Sequence, residues 1–148
     1  MSASDADTEV LQRTFLSRLD GWGKSSMPPA GLATLITALH WRPLQPVPAL
    51  VLSPALIFAS YVNVAGYPTD SAGLSAGVSG LYALLALRRK QKIRAKFLST
   101  RGLVRGAALG MAVFNCAASS YVYSRGDRKE DMEMRVERNR WGDYDDKQ

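Results

Sequence analysis

The chain has 148 residues, with 19 Lys and Arg against 13 Asp and Glu, a formal net charge of +6, and a single Cys and a single His. One cysteine excludes an internal disulfide, and one Cys with one His makes any zinc or haem site depend on carboxylates. Those carboxylates are segregated: twelve of the thirteen lie before residue 25 or after residue 124, and the remaining one, Asp70, falls in a predicted turn.

Residues 1–24 read as an amphipathic N-terminal surface helix. Leu11, Phe15, Leu19 and Trp22 fall near one helical face, while Asp7, Arg13 and Arg18 face elsewhere. Gly21 and Gly23 end it, and Phe15 and Trp22 are the expected anchors on a partner. A mitochondrial transit peptide is poor in acids, so Asp5, Asp7, Glu9 and Asp20 argue against one here.

Residues 25–124 form the membrane domain. Four stretches, 25–41, 43–69, 71–87 and 106–124, contain no Asp, Glu, Lys or Arg. A helix needs about 20 residues to cross a hydrocarbon core of roughly 30 Å. A soluble helix would instead place charges on its outer face at helical spacing, and these segments are apolar all round. The pattern predicts an all-α integral membrane protein with three transmembrane helices, at about 49–67, 71–87 and 103–123. A short helix at about 29–41 is membrane-embedded or interfacial, since it reaches only about 20 Å. Pro54 predicts a bend in the first span, and the Gly66, Tyr67, Pro68 and Asp70 cluster predicts a tight turn into the second.

A basic loop, 88–101, joins the second and third spans. Arg88, Arg89, Lys90, Lys92, Arg94 and Lys96 are unrelieved by any acid. Short loops rich in Lys and Arg stay on the cytoplasmic or matrix side, and they attract anionic lipids such as cardiolipin. Nucleic acid is not the expected partner, because no stacking aromatic beyond Phe97 interleaves with the charges. With the basic loop inside, the turn at 67–70 and the C-terminal tail lie outside. The N-terminus lies inside with three spans, or outside if 29–41 also crosses.

Small residues recur every four positions, as Gly73 and Gly77 and again as Gly102, Gly106 and Gly110. In lipid such spacing lets helix backbones approach closely, so these glycines are expected packing sites. Asn115 is expected to make a helix-to-helix hydrogen bond, worth about 0.6 to 2 kcal/mol in lipid. The tail, 125–148, carries both signs densely. Asp131 and Arg135 at i,i+4 predict a short helix through Arg140, with Trp141 and Tyr144 as anchors on a partner surface.

Catalytic signatures are missing. The serines have no base other than His40 in prospect, and the glycine-rich run from Gly73 to Gly80 lacks the lysine of a phosphate-binding loop. The spans hold Asn63 and Asn115 but no acid or base away from their ends, so a proton relay is not expected. Cys116, mid-span, reads as a small packing residue. The sequence thus predicts a non-catalytic protein with no cofactor and no metal.

Three segments carry a family likeness: Pro43, Pro46 and Pro48; the run from Ser71 through Gly73, Gly77 and Gly80 to Tyr82; and Asn115 through Tyr121 to Tyr123. The hairpin and third span that hold them cover about half the chain. Together they resemble a fungal family of small mitochondrial membrane proteins of the "altered inheritance of mitochondria" type, and the related fungal accessory membrane subunit of NADH:ubiquinone oxidoreductase, respiratory complex I. The resemblance implies a multi-pass inner-membrane protein without cofactor, in contact with other membrane subunits of a large respiratory complex, that supports its assembly or stability. The spacing of Gly102, Gly106 and Gly110 is similar to that of glycine-zipper inner-membrane translocase proteins. That second likeness implies a stand-alone translocase or transport component that oligomerises through glycine-rich helix faces.

Overall fold

The computed structural model of the chain describes residues 3–88 and 99–139. The described residues are helical almost throughout: α1 Ala3–Gly23, α2 Met27–His40, α3 Ser53–Val64, α4 Pro68–Arg88, α5 Thr100–Arg125 and α6 Arg128–Asn139. One wide turn, Val47–Leu52, leads without a break into α3. Three of these helices are long and apolar enough to cross a membrane: Val47–Val64, Pro68–Arg88 and Thr100–Arg125. The chain is an all-α membrane protein, as its charge-free stretches predict.

The expected bend at Pro54 takes the form of the wide turn that precedes it. There the Ser53 amide donates to the Pro48 carbonyl five residues back, rather than four. Pro54 has no amide hydrogen to return to Leu50, and inserting an extra residue into the turn is one way a helix absorbs that loss.

The α3–α4 hairpin closes on Gly66. Its φ of 97° suits glycine, the residue without a Cβ to clash in the left-handed region. The Tyr67 amide donates to the Val62 carbonyl (3.1 Å) and the Gly66 amide to that of Asn63 (3.0 Å), which satisfies the last carbonyls of α3. Pro68 then opens α4, three residues earlier than the charge pattern suggests, because a proline at the first helical position loses no hydrogen bond.

α2 is the element least visible from sequence. It does not lie flat on the bundle but runs antiparallel to α3 along its length. Asn63 Nδ2 donates to the Lys24 carbonyl (2.8 Å), Ser60 Oγ to that of Ser26 (2.8 Å) and Ser53 Oγ to that of Ala33 (3.3 Å). Pro28, Pro29, Leu32, Ala33, Ile36 and His40 are buried on one face. At about 21 Å long it occupies the place of a short fourth helix, and Lys24 lies at the same end of the bundle as Asn63. Leu32, Ile36, Leu52, Leu56, Tyr82, Ala108 and Ala112 meet in the core that α2, α3, α4 and α5 share.

Among its described side chains, α1 docks by its C-terminal end. Residues 7–18 are all exposed, among them Leu11 (70 %) and Phe15 (57 %). Trp22 meets Phe114 of α5 edge to face, with ring centroids 5.2 Å apart. Gly23 is buried against Ala118 and Val122: a Cβ there would stand 2.7 Å from the Ala118 carbonyl oxygen and 2.5 Å from Val122 Cγ2.

Candidate functional site

The longest contact in the bundle is the seam between α4 and α5, built from serines and alanines. On α4, Ser71, Ser75, Ser79 and Ala83 follow one another at four-residue intervals, and all are buried. α5 answers with Asn115, in a helix whose Ala108, Ala112, Ala118, Ser119 and Val122 are also buried. Small side chains at this spacing let two helices approach closely, which is how association is driven where lipid supplies no hydrophobic force.

Asn115 sits at the centre of the seam, fully buried. Its Nδ2 donates to Ser75 Oγ and to Ser79 Oγ, each at 2.8 Å, while Ser119 Oγ donates to its Oδ1 at 3.5 Å. One turn further along, Ser71 Oγ donates to the Ala59 carbonyl (2.7 Å) and ties α3 to the same seam. Among the described residues, every buried side-chain nitrogen or oxygen has a partner. Neither amide nor hydroxyl groups ionise near neutral pH, so this cluster is an uncharged hydrogen-bonded contact between the two helices.

The structure corrects the expected glycine contacts. Gly77 and Gly110 are exposed, and a Cβ at either would meet nothing within 4 Å. The reason is phase: at about 100° per residue, Gly73 and Gly77 lie roughly 200° around α4 from Ser71 and Ser75. Gly73 still makes a contact, though with a side chain: its Cβ would stand 2.8 Å from two ring carbons of Tyr123. Gly102 is buried and Gly106 half-buried. Asn115 bridges helices as its sequence position predicts. The serines that receive it escaped the sequence reading, although Ser71, Ser75 and Ser79 carry the same four-residue period as the glycines.

A second constellation lies at the α3–α4 turn, where α6 folds back. Asp131, 7 % exposed, accepts a hydrogen bond from the Thr69 amide at the start of α4 (3.2 Å), and an Arg138 terminal nitrogen donates to the Val64 carbonyl at the end of α3 (3.1 Å). A carboxylate thus meets the positive end of one helix dipole and a guanidinium the negative end of another. Arg135 stacks over the Tyr67 ring at 3.9 Å, and Arg128 pairs with Asp70 at 3.2 Å. The expected Asp131–Arg135 pair is not formed between side chains. Arg135 Nε donates instead to the Asp131 backbone carbonyl (3.3 Å), because the carboxylate is committed to α4. Replacing Asp131 by Ala is expected to cost about 1 kcal/mol, as loss of a helix cap does. It should be read as faster amide exchange at Thr69 with the core unchanged; exchange at the wild-type rate would show that the cap is idle.

Arg88, the first residue of the expected basic loop, is exposed at the end of α4. Arg89, Lys90, Lys92, Arg94 and Lys96 lie outside the described residues, as do Trp141 and Tyr144. Phe15 is open to a partner, and Trp22 is divided between Phe114 and the surface. No three His, Cys, Asp or Glu side chains come together among the described residues. No protein-family model, curated protein or solved structure matches the chain.

Proposed function

We propose that this chain is a non-catalytic accessory subunit of respiratory complex I in the mitochondrial inner membrane, contributing to its assembly or stability. The observation that carries the structural role is the Asn115 cluster, whose amide is committed to joining α5 to α4, as Ser53, Ser60 and Ser71 are to joining other helices of the bundle. The outward faces left over are apolar, with Ile57, Phe58, Leu81 and Leu84 more than half exposed, and they fit neighbouring membrane helices or lipid. The assignment to complex I rests on the likeness of the proline segment, the 71–82 run and Asn115 to Tyr123. Anionic lipid at the basic loop completes the set of partners. Native electrophoresis in mild detergent tests the reading: the chain should co-migrate with complex I, and a small species free of respiratory subunits would sink it.

A second reading, a stand-alone translocase or transport component, is favoured by one observation. Gly77 and Gly110 face outwards with open space above them, where a helix of a second copy would fit. The double replacement Gly77→Leu and Gly110→Leu is expected to leave the isolated chain within about 0.5 kcal/mol of wild type, as surface changes do. A homo-oligomer of the wild type that these leucines dissolve would favour the second reading over the first.

A further inference from the structure

The end of the bundle at which α2 stops and α5 begins holds a cleft of about 420 Å³, lined by Thr37, Ala38, Leu39, Trp41, Arg42 and Arg101. Two arginines thus line one opening with a tryptophan. Among the described residues no carboxylate lines it, and between residues 21 and 126 the sequence offers only Asp70, at the opposite end of the bundle. Among the described residues neither Arg42 nor Arg101 pairs with an acid, whereas Arg13, Lys24 and Arg128 each do.

We propose that this cleft binds the headgroup of an anionic phospholipid, with Arg42 and Arg101 holding its phosphodiester. Three features converge on that chemistry. Paired guanidiniums present flat forks of donors that match phosphate oxygens. Trp41, 56 % exposed, stands where the chain leaves the apolar stretches, the depth at which indole rings anchor in a bilayer. Finally, Ala38 and Leu39 give the cleft an apolar wall continuous with α2, along which acyl chains lie while the head stays at the arginines. Arg101 closes the basic loop in sequence, and the cleft adds Trp41 and Arg42 from the end of α2 to it. The site rests on the membrane placement of the chain and not on complex I.

The test uses the full chain, delipidated in detergent, with bound lipid counted by native mass spectrometry. Phosphatidylglycerol should be retained over phosphatidylcholine, which carries the same phosphate with a compensating cation. Replacing both arginines, Arg42→Gln with Arg101→Gln, should weaken phosphatidylglycerol roughly 25-fold, at about fivefold for each cation near the surface. The Arg125→Gln variant removes one charge at the far end and should bind as wild type. Equal retention of the two lipids overturns the proposal without any variant. So does displacement of the lipid by inorganic phosphate, which would mark a free-anion site, or an equal loss in Arg125→Gln. Resistance of the wild-type chain to carbonate extraction separates the two levels. A chain that washes off the membrane refutes the membrane reading, while an integral chain that binds both lipids alike refutes the cleft alone.

Discussion

Replacing Asn115 by leucine is expected to destabilise the membrane domain by about 1–3 kcal/mol, the largest effect of any single side chain in the spans. Leucine has nearly the right volume, so no sizeable cavity opens. What disappears is both donors: Ser75 and Ser79 lose the amide at 2.8 Å, and Ser119 loses its acceptor. The serines recover part of the loss by turning to carbonyls of their own helices, which holds the cost near the middle of that range. Unfolding in mixed micelles should show a lowered midpoint with helical content retained. Asn115→Gln, which keeps the amide but lengthens the side chain in a fully buried site, should fall at least as far, because overpacking costs about as much as the hydrogen bonds. A wild-type midpoint for both would show that the seam holds by its small residues alone.

The second large effect is expected at Gly23. A methyl group there would stand 2.7 Å from the Ala118 carbonyl oxygen, which belongs to the backbone of the long helix α5 and cannot step aside. The displaced partner is therefore α1, and Gly23→Ala should lift it from α5, breaking the Trp22–Phe114 contact with it. The penalty is about 1–3 kcal/mol, confined to the junction. Limited proteolysis should cut between α1 and α2 well before it reaches the bundle, and tryptophan emission should shift to the red as Trp22 is exposed. Gly21→Ala serves as the control, since nothing lies within 4 Å of a Cβ at that position. If both variants resist proteolysis equally, α1 is not held by Gly23.

These two sites mark the boundary between what could be read from the sequence and what could not. The spans were legible because the absence of charge over 17 or more residues is a one-dimensional signal, and each boundary shift has a local cause such as Pro68 at the first turn of α4. Asn115 was legible too, as the polar exception in an apolar helix. Its acceptors were not. Gly73, Gly77 and the serines two positions earlier share one period, and only the rotation of α4 about its axis decides which set faces α5. That rotation is fixed by Asn115 of α5 on Ser75 and Ser79 and by the Ser71 bond to α3, a tertiary fact. The same holds for α2, whose register against α3 depends on hydroxyl groups donating to carbonyls 20 and 34 residues away. Asp131 and Arg135 at i,i+4 suggested a local pair, and the more distant Thr69 amide won the carboxylate.

The double cap at the α3–α4 turn also sets an order of events during synthesis. Asp131 follows Thr69 by 62 residues, which at 5–20 residues per second is about 3–12 s of translation. From the completion of α4 at Arg88 until Asp131 is made, the hairpin has both spans but neither cap. The two helices enter the bilayer before the segment that secures their ends exists. The hairpin is thus held at first by its own glycine turn, and it is locked only when the last helix emerges.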